Sequence, residues 1–469
     1  MSDLLKRLAN LSPEKQALLL KKLRAGTPST ATSVTSLPPL ERLPEGARLP
    51  LSFAQQRLWF LEQLEPGTSR YSVPAAVRLE GALDVAVLEQ AFAELTRRHE
   101  SLRTLFRQDA DSAEQVILPP QRQALRVVDL TSLAGAERQA EVLRQANATA
   151  QRPFDLQRGP LFITTLLRLG EREHLLVLNV HHIVSDAWST SVLVREVGQL
   201  YAAFSQGQPS PLPVLPVRYA DYAHWQRQWL RGEELERQLS YWRQQLEGAP
   251  ARLELPTDRP RPTAQTFHGA ALPVRYSREL SEALKALAAR EGVTPFMLLL
   301  TAFQLVLGRY AGQDDVSVGS SIAGRRLGEL EGLIGFFANM LVLRTDLGGD
   351  PTFRELLQRV RQTTLGAYGH QDVPFEKLVE ELKPERNLGH SPLFQVVFAF
   401  LNAPPVELSL PGLSMRPVVL DTVVAKFDLE LAFMEQQGCL LGNFVYNRDL
   451  FDAATIKRLA GTWRRCCTR

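Results

Sequence analysis

His181 and His182 are adjacent, and Asp186 follows four residues after the second, in the stretch HHIVSDAWST at residues 181–190. An imidazole titrates at about 6.5, so a histidine here can take a proton or accept a hydrogen bond at neutral pH. A carboxylate so close to a turn can orient that imidazole, or pair with an arginine and fix the turn. Zinc binding is disfavoured: on a strand adjacent side chains point to opposite faces, so the two rings would not share one metal. A Ser–His–Asp hydrolase is the obvious rival. The sequence contains no GxSxG elbow, however, and Ser185 and Ser189 lie too near to be an obvious nucleophile. A histidine on an apolar strand is also often a core residue held by packing, and residue types alone leave that reading open.

The elements around the motif are legible from their periods. Residues 174–183, HLLVLNVHHI, form an apolar run of strand length. Leu176, Leu178, Val180 and His182 share one face; Leu175, Val177, Asn179 and His181 share the other. After the turn, Leu193, Val197, Leu200, Tyr201 and Phe204 recur at helical spacing, with Ser189 as the expected cap. The site is therefore a strand, a tight turn carrying Ser185, Asp186 and Ala187, and a helix start. Unpaired N–H groups at a helix start suit a developing oxyanion.

The chain has 469 residues, too many for one ordinary core, so two large lobes are expected. Net charge is +3 from 54 basic and 51 acidic residues, too even to favour nucleic acid or an anionic membrane as partner. No apolar run reaches spanning length. Three cysteines without a CxxC pair argue against a disulfide framework or structural zinc, and a reducing, cytoplasmic setting fits. Residues 1–25 read as a helical lead-in and possible docking element, and residues 26–49, rich in Pro, Ser and Thr, as a linker. Residues 50–225 form the expected N-terminal lobe and 226–469 the C-terminal one. YSVPAAVRLEG reads as a strand, and Asp84 caps a helix carrying Leu88, Ala91, Phe92 and Leu95. A strand–helix–helix–strand order returns between residues 270 and 324, which points to two lobes of related α/β build.

HHIVSDAW resembles the HHxxxDG motif of condensation domains from nonribosomal peptide synthetases. SFAQQRLWFL (52–61), RHESLRTLF (98–106), YADYAHWQ (219–226), IGFFANMLVLR (334–344), HQDVPFEKLV (370–379) and RNLGHSPLFQVVF (386–398) resemble its other motifs, in order. The resemblance runs from about residue 50 to residue 460. It implies two chloramphenicol-acetyltransferase-like α/β lobes in a V-shaped pseudo-dimer with a central tunnel. It also implies an acyltransferase that forms amide bonds. An upstream acyl or peptidyl thioester would be joined to the amine of a downstream aminoacyl thioester. Both would ride on phosphopantetheine arms of carrier proteins, beside an adenylation domain of the same assembly line, and the domain itself would bind no cofactor.

By the same resemblance His182 is the catalytic residue. His181, Asp186, Ala187, Arg98 and Arg103 shape the motif, with Arg98 and Arg103 expected to pair with Asp186. Ser185, Trp188, Asn339 and His370 are possible tunnel residues; Trp59, Tyr219, Trp225 and Phe375 are expected in the core or at the lobe interface. IVSD around Ser185 resembles the subclass whose donor ends in an L-residue. Heterocyclising relatives replace the motif histidines with Asp, and recruitment modules lose the second; this chain keeps both. A related acyltransferase acting on an alcohol or free amine is the first alternative, and a non-catalytic recruitment module the less favoured second. Ala187 stands where the family has Gly, and negative φ there would leave the turn intact. The tail GTWRRCCTR departs from the expected family ending, and no adenylation or carrier segment follows it, which suits an excised or stand-alone domain.

Overall fold

Two sheets organise the chain. The structure, a computed structural model, describes residues 37–468 other than 110–111, 121–124, 386, 402–409, 419 and 421–422. The expected lead-in and the linker up to residue 36 lie outside the described residues.

In chain order come α1 (Phe53–Leu64), β1 (Ser72–Gly81), α2 (Val85–Arg98), β2 (Thr104–Asp109), β3 (Ser112–Ile117), β4 (Arg126–Asp129), α3 (Gly135–Ala150), β5 (Phe162–Arg168), β6 (Glu173–His181), α4 (Ala187–Phe204) and α5 (Tyr219–Trp229). There follow α6 (Gly232–Leu246), β7 (Gly269–Arg275), α7 (Arg278–Arg290), α8 (Pro295–Ala311), β8 (Asp315–Ile322), β9 (Asn339–Asp346), α9 (Phe353–Gly369), α10 (Phe375–Leu382), β10 (Val396–Leu401), β11 (Leu413–Val418), β12 (Leu429–Gln436), β13 (Cys439–Asn447) and α11 (Ala453–Thr468).

The first sheet has the order β11-β1-β6-β5-β4, and β6 lies at its centre. Its continuous apolar run reflects cover on both faces. Leu176 and Val180 pack with Leu88 and Phe92 of α2 and Leu193 and Val197 of α4. Leu175 and Val177 pack with Val142 and Ala146 of α3. Asp84 caps α2 as expected, its carboxylate accepting the Val87 N–H at 3.0 Å.

The second sheet has the order β7-β13-β12-β10-β8-β9, with α8 buried against it. Thr294 caps α8, Pro295 occupies its first turn and Gly312 ends it in the left-handed conformation. The tail expected to depart from the family ending forms the end of α11, where Trp463 is fully buried against Tyr276, Phe303 and Phe433.

Two excursions tie the halves together. Strand β11 pairs with the edge of β1, from Ala76 opposite Val418 to Gly81 opposite Leu413. Residues 323–338, between β8 and β9, cross back over the first half. The expected division between residues 225 and 226 falls inside α5, and β11 belongs to the first sheet although it comes late in the chain.

Candidate active site

Strand β6 ends at His181, and His182 opens a short 3₁₀ turn, His182–Val184. The chain turns between the histidines, and so their environments separate. His181 is buried, edge-on to the rings of Tyr71 and Phe154. Its Nδ1 accepts the Ile183 N–H at 3.1 Å, so in the neutral ring Nε2 carries the proton. Burial, then the charges of His182 and Lys426, push its pKa down to about 3.

His182 holds the opposite tautomer. Its Nδ1 lies 2.8 Å from the Ser185 carbonyl oxygen, which can only accept, so Nδ1–H donates. The Nε2 lone pair is left available. The ring is half-buried and packs edge-on against Phe336 at 4.6 Å. Burial first, then the positive charge of Lys426, push its pKa down to about 4, against an opposing pull from Asp186. His182 is therefore neutral across the physiological range.

Asp186 is the N-cap of α4: its Oδ1 accepts the Ser189 N–H at 2.7 Å. Its expected partners were Arg98 and Arg103, and the structure corrects this. The cation beside it is Arg325, at 3.3 Å, with both side chains almost wholly buried. Arg98 instead pairs with Glu196 at 3.1 Å, and Arg103 donates to the Leu118 carbonyl and lies 3.4 Å from Glu100. Ser189, the expected cap, sits one turn inside α4. Its Oγ donates to the Gly335 carbonyl at 2.8 Å, and the Gly335 N–H lies 3.0 Å from the same oxygen.

These contacts clamp residues 323–338 over the motif. Asp186 Oδ2 accepts the Phe337 N–H at 3.0 Å. Arg325 donates to the carbonyls of Leu330 and Leu333 and to Ser189 Oγ. Ser101 Oγ donates to the Ile334 carbonyl at 2.7 Å, and His99 Nδ1 accepts the Ile334 N–H at 3.3 Å. Tyr219 Oη donates to the Phe336 carbonyl at 2.6 Å and meets Ser52 Oγ at 2.8 Å. Three of the family-like motifs thus contact the segment that supplies Phe336, the ring against His182, and a fourth reaches it through Ser52 on Tyr219.

Ala187 is the first residue of α4 and is exposed, and it is not among the residues with positive φ. The turn runs through ordinary negative φ, as expected. Its N–H occupies a helix start, where no intrahelical acceptor exists.

The remaining candidates divide. Ser185 is buried and contributes its carbonyl to His182. Trp188 is half-buried and donates its indole N–H to the Glu331 carbonyl at 3.0 Å. Asn339 spends its side chain on backbone: Nδ2 donates to the carbonyls of Gln371 and Val373, and Oδ1 accepts the Phe375 N–H. His370 stacks flat on Tyr241 at 4.1 Å, and its Nδ1 donates to the Gly366 carbonyl. These are structural ties. Tyr219 and Phe375 are buried, and Trp59 and Trp225 are packed against core clusters. Sequence reasoning missed Arg325, which lies in the polar run GRRLGELEG where no period marks one arginine over its neighbour. It missed Lys426 as well, the lone basic residue of the largely apolar stretch VVAKFDLELAF.

The sequence model of the condensation domain matches residues 46–468. The chain belongs to the condensation-domain family. The match includes the tail, so the expected departure there is overturned. The chain is 48% identical over 437 residues to one of the linear gramicidin synthase proteins of Brevibacillus parabrevis, covering 93% of this chain and 6% of that protein. It is 42% identical over 463 residues to a phosphinothricin tripeptide synthetase of Streptomyces viridochromogenes, covering 98% of this chain and 42% of that one. It therefore spans only a part of these relatives. Among solved structures, the X-domain from teicoplanin biosynthesis superposes with a TM-score of 0.82 at 30% identity, covering 92% of this chain and 96% of that chain. The first condensation domain of the CDA synthetase superposes with a TM-score of 0.74 at 22% identity, over 90% and 96%, a likeness of fold alone. The expected α/β fold is thus the observed one. Condensation domains of peptide synthetases are acyltransferases that form amide bonds, and this chain is of that class.

Proposed function

We propose that this domain joins an upstream acyl or peptidyl thioester, ending in an L-residue, to the amine of a downstream aminoacyl thioester. Both substrates arrive on phosphopantetheine arms of carrier proteins, through a tunnel between two lobes in a V, and an adenylation domain of the same assembly line charges the acceptor carrier. The C–N bond forms as the C–S bond breaks; the amine loses a proton, and the donor arm leaves as a thiol. The observation that carries this reading is the His182 tautomer: Nδ1–H is held by the Ser185 carbonyl, which leaves the Nε2 lone pair free to accept a hydrogen bond.

His182 acts in this reading as a hydrogen-bond acceptor that orients the neutral amine. An aminoacyl amine has a pKa of about 8, so a fair fraction is already neutral. Taking its proton before attack, with an imidazole depressed to about 4, would be unfavourable by about four powers of ten. The proton becomes acidic only once the C–N bond has formed, and His182 can pass it on then. Holding both tethered substrates in place contributes several kcal/mol more.

The test loads donor and acceptor carriers separately and follows transfer by intact mass. Amide formation on the acceptor carrier, faster than with free amino acid or alcohol, supports the reading. Equal use of free acceptors would favour the related acyltransferases. A preference for a donor ending in a D-residue would overturn the donor assignment.

A further inference from the structure

The electrostatics at the motif turn involve a cation that none of the family-like motifs supplies. Lys426 precedes β12, in a backbone anchored on both sides. The Ala425 N–H donates to the Phe267 carbonyl at 3.1 Å, and Gln265 Nε2 donates to the Lys426 carbonyl at 2.8 Å. Two residues on, Arg261 grips Asp428 through two hydrogen bonds, at 2.9 and 2.5 Å. The ammonium lies 5.8 Å from the centre of the Tyr71 ring. Tyr71 is the residue whose carbonyl accepts the His182 N–H at 2.8 Å and whose ring meets His181 edge-on.

The other charges that act on Lys426 are Glu430 and Arg57. Glu430 lies on β12 between Val397 and Val445, on the face opposite the core residues Leu429 and Leu431. Arg57 is taken up by Glu376, at 2.7 Å. Among the described residues, neither the Lys426 ammonium nor the Glu430 carboxylate makes a hydrogen bond or closes an ion pair. Lys426 is half-buried, and an ammonium drawn partly out of water beside an aromatic ring, with no acceptor among the described residues, is available to donate to a ligand.

We propose that Lys426 is a substrate-positioning residue whose ammonium donates a hydrogen bond to a carbonyl oxygen of a pantetheine-tethered chain beside His182. The inference rests on the condensation reading. Two carbonyls carry the same chemistry. The donor thioester oxygen gains negative charge as the C–N bond forms, then returns to a carbonyl as the C–S bond breaks. The acceptor thioester oxygen does not react, and binding it would fix the approach of the amine. Lys426 transfers no proton in either case. Its charge also disfavours an ammonium at the acceptor position, and Glu430 offsets the field on the far side.

The test compares Lys426→Gln, Lys426→Met and Lys426→Arg in the full chain by single-turnover condensation between loaded carriers. The neutral variants should lose about tenfold or more, and Lys426→Arg should recover most of that loss. The acid limb of the pH–rate profile should also move up in Lys426→Gln, because one cation facing His182 is gone while Asp186, His181, Arg57 and Glu430 remain. A soluble aminoacyl thioester and a simple amine serve as alternative acceptors. A defect confined to the thioester acceptor, seen as a higher half-saturating concentration, assigns the acceptor carbonyl. An equal loss at saturation with both assigns the donor oxyanion. Neutral variants that lose less than about tenfold, or a loss that arginine does not restore with the pH profile unmoved, would overturn the inference. A wild-type domain that makes no amide between carriers would overturn the condensation reading and this inference together.

Discussion

Two adjacent histidines hold opposite tautomers because each Nδ1 meets a different backbone group: an N–H for His181 and a carbonyl for His182. The sequence showed that the rings must part; it did not show which nitrogen of each would be free, since that depends on where the strand stops. That Asp186 would meet an arginine was likewise legible, but which arginine was not, because Arg325 is 139 positions away along the chain. Removing one member of a buried ion pair costs about 3–5 kcal/mol. Asp186→Ala should therefore lower the melting temperature and activity together, and Arg325→Ala should do the same. In the double variant the losses should fall short of their sum, as measured by thermal unfolding. A stable but inactive Asp186→Ala would instead assign Asp186 a direct part in the chemistry. Ala187→Gly should change the condensation rate by less than about tenfold, at a cost of up to about 1 kcal/mol in stability. A gain of a hundredfold or more would mark the natural site as crippled.

The crossing segment, residues 323–338, is the element on which the site depends. It carries Arg325 and Phe336, and its backbone is read by Asp186, Ser189, Ser101, His99 and Tyr219. Its conformation needs glycine at two points. Gly324 has a φ of +66°, and a Cβ on Gly335 would lie 2.0 Å from the Tyr219 ring. Gly335→Ala should therefore push Tyr219 or the segment away, lowering both melting temperature and activity; unchanged values for both would show that the clamp is not needed. The long helices and β6 were readable because their periods persist over several turns or residues. The crossing segment has no period, since its order comes from side chains elsewhere in the chain. The misplaced cap of α4 has a related cause. Aspartate and serine both cap helices, and the choice fell to Asp186 because its carboxylate also had Arg325 to meet.

At the scale of the whole molecule, four histidines, His99, His174, His181 and His182, are all pushed below the usual range, in each case first by burial. The unfolded chain then binds protons that the folded chain refuses. Stability is full above about 6.5 and falls as the pH drops toward about 4 for His182 and about 3 for His181. The melting temperature should decline between pH 7 and pH 5, and a flat profile there would contradict the burial of these rings. The mixed α/β build was legible in the repeated strand and helix order. The exchange of β11 onto β1 was not, because an edge pairing between residues more than 330 positions apart leaves no local pattern. The crossing segment holds Phe336 against His182. The most direct test is single-turnover amide formation between loaded carriers, comparing wild type with His182→Ala. The variant should keep its melting temperature and lose about 10²-fold or more in rate; a loss of less than about tenfold would contradict a central role for His182.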